Sequence, residues 1–123
     1  MPFGIQGKIV SINLSNRSIT SMEVAEADAR KFYMGSGLSA KLIMEWPGIE
    51  TIDPLSPENP LIFMAGLFTG TPIPASPKLT VCSKSPLTGI WNESTVGGHW
   101  TAQFKFTGID GMVLTGKADK PVY

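Results

Sequence analysis

The sequence predicts an α+β fold, with a mixed or antiparallel sheet and about three helices. Three observations carry that prediction. The chain opens on two alternating segments joined by a turn, helix-spaced apolar positions recur in three later stretches, and short apolar runs stand between them without strict β-α alternation. The order read from the residues is β-β-α-α-β-β-α-β, with a last strand at Pro121 to Tyr123.

Lys8 to Leu14 reads KIVSINL, placing Val10, Ile12 and Leu14 on one alternating face of a half-buried strand. Ser15, Asn16 and Arg17 supply turn chemistry, and Ser18 to Val24 alternates again, so the opening is a hairpin. Ala25 to Met34 has Ala25, Ala29, Phe32 and Tyr33 near one helical face, with Gly35 as its cap. Gly37 to Trp46 repeats the spacing through Leu38, Leu42, Ile43 and Trp46, and Pro47-Gly48 stops it. The Met and aromatic residues of these helices read as core filling.

Glu50 to Pro60 contains Pro54, Pro57 and Pro60 and reads as a stiff surface loop. Leu61 to Ala65 (LIFMA) is a continuous apolar run, as expected of a strand covered on both faces. Leu79 to Ser83 and Gly111 to Thr115 are further strands, and Gly98 to Phe106 is the third helix, ended by Gly108.

At 123 residues and 42% hydrophobic content, residues 1–123 read as a single domain able to bury a core. Basic and acidic side chains balance at ten each, which gives nucleic acid or an anionic membrane no electrostatic purchase. Charged residues make up only 16%, and six Met, six Phe and three Trp point to apolar surface meant for a partner. One cysteine excludes an internal disulfide or a multi-cysteine cluster within these residues, and one histidine argues against a metal held by side chains. The start Met1-Pro2-Phe3-Gly4 carries no leader pattern and no run is long enough to span a bilayer, so the expectation is the cytoplasm.

The chemistry-bearing candidates cluster between Pro60 and Lys105. Ser94 and Thr95 are good capping residues, and Val96-Gly97-Gly98 leaves the backbone uncovered where the third helix begins. Amides at such a start favour an anion such as phosphate, and a carbonyl in the preceding turn suits a hard cation such as Mg2+. The same Gly-Gly pair also reads as a turn needed only for backbone geometry. Lys78 follows the proline-stiffened Pro74-Ala75-Ser76-Pro77, where its charge could meet a phosphate or simply be solvated. Lys84 reads as structural or solvent-facing, Cys82 as a buried inert thiol, and His99 as a surface or core-packing residue. Glu93 falls in the turn before the helix and says little alone.

In that order, DPLSPEN, TGTP, KSPLTG and the GG…KF-G-D block resemble the N-terminal domain of the tungsten-containing aldehyde:ferredoxin oxidoreductase family, over nearly the whole chain. The resemblance implies two tungstopterins whose phosphates are bridged by Mg2+, a [4Fe-4S] cluster, oxidation of aldehydes or related carbonyl compounds, and ferredoxin as acceptor. It implies a base on which the pterins lie, with molybdenum as the alternative metal.

Carried over residue by residue, Lys78 takes the place of a pterin-contacting arginine and Gly97 that of a pterin-contacting glycine. Thr95 takes the place of an asparagine whose backbone carbonyl binds the Mg2+. Lysine keeps the charge and loses the planar fork; threonine still offers its carbonyl. No catalytic residue is assigned, and the cluster motif C-x-x-C-x-x-x-C is absent from these residues.

The family domain is similar to a duplication of two halves, and this chain resembles the first. The expectation is a cofactor-binding module, incomplete for catalysis by itself, completed by the remainder of an enzyme, by a second subunit or by a second copy. The alternative is a non-catalytic assembly or binding module that kept the fold and lost the cofactor, as a homodimer.

Overall fold

The computed structural model describes residues 4–123; the leader-free start read at Met1, Pro2 and Phe3 lies outside them. The elements are β1 (Lys8–Asn13), β2 (Ser18–Glu23), α1 (Glu26–Phe32), α2 (Gly35–Met44), β3 (Leu61–Ala65), β4 (Leu79–Lys84), β5 (Trp91–Val96), α3 (His99–Phe106) and β6 (Gly111–Thr115). They form an α+β fold around one six-stranded sheet of order β2-β1-β6-β3-β4-β5. Every neighbouring pair is antiparallel except β1 and β6.

The sheet closes in the middle because β6 enters last, between β1 and β3. Asp110, just before β6, joins both neighbours through its main chain: its amide donates to the Lys8 carbonyl at 2.7 Å and its carbonyl accepts from the Ala65 amide at 2.8 Å. Short turns join β1 to β2 and β4 to β5, whereas the parallel β1–β6 pairing needs the rest of the chain as its crossover.

One sheet face carries Ile9, Val113, Ile62, Met64 and Cys82, all buried with Ala29, Leu38 and Ile43 of the two helices covering it. Gly37 permits the tight corner between α1 and α2, since a Cβ there would stand 2.1 Å from the Phe32 carbonyl oxygen. The register places Val10, Met112, Phe63 and Val81 in one row on the opposite face, where each is half-buried.

Four expectations are corrected. Trp91–Val96 is a strand: alternating polar side chains on an exposed edge resemble a turn in composition, and only pairing with β4 reveals it. No strand forms at Pro121 to Tyr123. Tyr33, in the left-handed conformation at φ 59°, caps α1 with its amide on the Ala29 carbonyl, and Gly35 begins α2 instead of ending α1. LIFMA is fully covered on one face, by burial of Ile62 and Met64, and unevenly on the other, where Leu61 is exposed, Phe63 half-buried and Ala65 buried.

Candidate functional site

Three lysines lie near the ends of β4 and on α3, and their surroundings separate them. Lys84, at the end of β4, donates to the carbonyls of Ile49 (2.8 Å), Glu50 (3.0 Å) and Ile52 (2.9 Å). Asn59 of the DPLSPEN block completes this tie, its amide donating to the Lys84 carbonyl at 3.0 Å and its carbonyl accepting from the Lys84 amide at 3.3 Å. Lys84 is therefore architectural, as its sequence context suggested.

Lys105, on α3, is 2% exposed. Its ammonium donates to the carbonyls of Gly4, Gly66 (2.9 Å) and Leu67 (3.3 Å), and lies 3.6 Å from Asp110 Oδ1. Asp110 accepts in turn from the amides of Gln6, Gly7 and Lys8. Burial pushes the Lys105 ammonium below the usual lysine range, with the Asp110 carboxylate opposing that shift. Both groups are buried and hydrogen-bonded; they hold α3, β6 and the chain start together.

Lys78 differs on every count. Its main chain is fixed: the Gly66 amide donates to the Lys78 carbonyl at 2.9 Å, and Thr69 Oγ1 bonds the same carbonyl at 2.5 Å and the Lys78 amide at 3.0 Å. The residue is exposed, and its ammonium enters none of the ion pairs among the described residues, which involve Arg30, Lys41 and Lys105. The register that sets Leu79 opposite Val96 brings Lys78 across from Gly97. A Cβ at Gly97 would stand 3.7 Å from Lys78 Nζ and 3.3 Å from the Pro77 carbonyl oxygen. Lys78 and Gly97 are thus brought together, and the absent side chain is what leaves room beside the ammonium.

Gly98 serves a different need. It holds φ 87° and ψ −175°, a conformation essentially confined to glycine, and a Cβ there would meet nothing within 4 Å. This bend turns the chain from β5 into α3 with no side-chain cap. Ser94 and Thr95, expected as caps, are instead inside β5. The Gly97, Gly98 and His99 amides donate to no described residue, as usual at an uncapped helix start. Val96 is excluded from that set, because ladder alternation turns its amide toward β4.

The alternation follows from the hairpin turn, where the Ser85 amide donates to the Ile90 carbonyl at 2.7 Å. Counting from that hydrogen-bonded pair, Leu79↔Val96 is also hydrogen-bonded and Thr80↔Thr95 is not. The Thr95 carbonyl therefore points off the open edge of the sheet, one residue from the Val96-Gly97 junction. Among the described residues no group of three His, Cys, Asp or Glu side chains could hold a metal ion.

The remaining candidates stay apart. Cys82 is buried and burial raises its thiol above the usual range, which suppresses the thiolate. Glu93 lies mid-strand opposite Cys82 on the exposed edge, not in a turn. His99 is the exposed first residue of α3, and the helix packs Trp100 edge-on against Phe104 at 6.1 Å. No helix among the described residues is long and apolar enough to cross a membrane.

Sequence reasoning passed over Thr69, Lys105 and Asp110. Thr101 and Lys105 share one face of α3 at a spacing of one turn, and both are buried; that spacing was the available signal. Thr69 had no signal beyond its place in TGTP.

Comparison with known proteins shows the family and the fold. The family model described as aldehyde ferredoxin oxidoreductase, N-terminal domain, matches residues 9–123. The chain is 42% identical over 121 residues to the tungsten-containing aldehyde ferredoxin oxidoreductase of Pyrococcus furiosus, covering 98% of this chain and 20% of that protein. It is 32% identical to the aliphatic sulfonate oxidoreductase WOR-like subunit of the same organism, over 98% of this chain and 19% of that protein. Among solved structures, the active-site complex BamBC of benzoyl coenzyme A reductase with 1,5-dienoyl-CoA superposes with a TM-score of 0.94 at 32% identity, over 100% of this chain and 19% of the matched one. The chain spans about a fifth of the length of the curated relatives it matches.

Proposed function

We propose, because this chain belongs to the aldehyde ferredoxin oxidoreductase N-terminal domain family, that its Lys78–Gly97 corner seats the phosphate-bearing part of a tungstopterin. The observation that carries the reading is an ammonium held by a fixed main chain, free of any described ion pair, beside a glycine that leaves the space open. A phosphate there would accept from the Gly97, Gly98 and His99 amides and pair with Lys78. Gly97 lets the ligand approach the backbone, and the outward Thr95 carbonyl is a hard oxygen for a Mg2+ shared with the phosphates. The residues present fit the group.

When bound, the tungsten centre supplies the oxidation–reduction chemistry at the substrate carbon. This chain's own contribution is to bind and orient: Lys78 neutralises anionic charge, Thr95 offers a carbonyl ligand, and the β4–β5 register fixes the distance between them. Substrate selection then lies elsewhere, a reading supported by the relatives' own names. Proteins sharing this segment are named for aldehydes, for an aliphatic sulfonate and for glyceraldehyde-3-phosphate.

On this reading residues 1–123 form one domain, the first of two similar halves of the pterin base. The half-buried row Val10, Met112, Phe63 and Val81 supports coverage of the open sheet face by the remainder of an enzyme, a second subunit or a second copy. The iron–sulfur ligands and the ferredoxin contact belong to that remainder, since one cysteine cannot hold a cluster.

The test is anaerobic purification with the products of neighbouring genes, followed by metal analysis and fluorescence assay of released pterin. Tungsten or molybdenum and pterin are expected to accompany the chain, and both to fall when Lys78 is replaced by alanine. Protein carrying neither metal nor pterin would defeat the reading.

A further inference from the structure

We propose that Thr69 is the positioning residue for Lys78, acting through the Lys78 main chain to aim the ammonium at a phosphate beside Gly97. The inference rests on the reading of the Lys78–Gly97 corner given above and deepens it. Thr69 is 1% exposed, and its one hydroxyl satisfies both main-chain polar groups of Lys78: it bonds the carbonyl at 2.5 Å and accepts from the amide at 3.0 Å.

Elsewhere in the loop from Gly66 to Pro77, the Gly66 and Leu67 carbonyls accept from Lys105, and the Thr71 and Ser76 hydroxyls donate to the Phe68 carbonyl at 2.7 and 2.8 Å. The Thr71 and Ser76 bonds shape the loop without touching Lys78. The Thr69 pair joins the loop base to the first residue before β4, whose other side is set by the Leu79↔Val96 pairing. Lys78 is thereby held from the loop and from the sheet at once, and only its side chain remains free to turn.

A purely structural rivet and a positioning residue differ in one measurable respect. Loss of a rivet adds to the loss of Lys78, whereas loss of a residue acting through Lys78 has no further effect once the ammonium is gone. The experiment is a double-mutant cycle on the full chain together with any subunits that purify with it. The probe is inorganic pyrophosphate with Mg2+ at fixed ionic strength, read by calorimetry and 31P NMR.

Lys78→Ala is expected to weaken binding about tenfold, one charge-assisted contact. Thr69→Val, which keeps the shape and loses both bonds, is expected to weaken it about fivefold. Thr69→Ser restores both bonds and should stay within about twofold of the parent, and the double variant should bind no more weakly than Lys78→Ala alone. If Lys78→Ala leaves affinity unchanged, the phosphate seat itself is wrong. If Lys78→Ala weakens binding but Thr69→Val does not, or Thr69→Ser weakens it equally, or the two effects add, the seat stands and the Thr69 assignment is overturned. Should Thr69→Val not fold, Thr69→Cys and Thr69→Ala carry the same cycle, with thermal unfolding read in parallel.

Discussion

Two cations on this molecule have nearly opposite surroundings. Lys105 is enclosed, with three carbonyls and the Asp110 carboxylate around its ammonium. Lys78 has its main chain clamped by Thr69 and Gly66 while its ammonium stands in the open beside Gly97. In the first case the protein has spent every donor on itself, and the charge is a joint between α3, β6 and the chain start. In the second the backbone is fixed and the charge is left over. A lysine whose position is tightly specified but whose charge serves nothing internal is a better candidate for a ligand than one that is merely buried. Burial alone marks architecture here.

The comparison is tested most severely at Lys105. Lys105→Ala removes one partner of a buried pair and leaves three carbonyls and a carboxylate without their donor. It should cost about 3–5 kcal/mol of folding stability, read as a lowered midpoint in urea unfolding. A cost under about 1 kcal/mol would show that the enclosure is not what holds α3.

The same lysine gives a pH signature with a definite sign. Its folded pKa lies below the ordinary 10.5, chiefly because burial penalises the charge. Between the lowered value and 10.5 the unfolded chain keeps a proton that the folded chain has released, so stability rises with pH across that window. Other lysines titrate there too, so the quantity to measure is the difference in stability between the parent and Lys105→Met. That difference should shift in the parent's favour as pH climbs toward 10.5; a flat difference would mean the folded lysine titrates normally.

How far the sequence carried this contrast depends on whether the signal was local. The hairpin, α2, β3, β4, α3 and β6 were all legible, because apolar periodicity and turn residues are written within a few positions of one another. β5 was not, since Trp91 to Val96 is polar and exposed and becomes a strand only by pairing with β4. The Lys105–Asp110 joint was hidden for a related reason. Its partners Gly4, Gln6, Gly66 and Asp110 are scattered along the chain, and no spacing rule collects them. Lys78 and Gly97 were singled out through motif order, but their juxtaposition follows from the β4–β5 register, which the reading without β5 could not supply.

A smaller effect is expected at Gly98, where the cost is conformational and not steric. Gly98→Ala meets no atom within 4 Å yet must hold φ 87° with ψ −175°. That should cost about 1–3 kcal/mol. Gly97→Ala is the matched control: its strain is a 3.3 Å approach to the Pro77 oxygen, so stability should fall less while pyrophosphate binding falls more. Parallel thermal unfolding and calorimetry separate the two glycines. If both variants lose stability equally and binding equally, the division between a glycine for shape and a glycine for space is wrong.

The smallest stability effect should be at Lys78 itself, and that smallness is the point of the comparison. Lys78→Met keeps the stem and removes an exposed charge that belongs to no described ion pair, so unfolding should change by no more than about 0.5 kcal/mol. Its main-chain bonds to Thr69 and Gly66 do not depend on the side chain and should survive. If the ammonium is kept for a ligand, that nearly silent substitution should still lower retained pterin and the affinity for pyrophosphate with Mg2+. A Lys78→Met variant as stable as its parent and equally able to retain pterin would place the lysine among ordinary surface charges. One that is markedly less stable would mean the open ammonium has a structural duty that its surroundings do not reveal. Lys78→Arg then sharpens the result, because the planar fork should match or exceed lysine at a phosphate and gain nothing at a solvated surface.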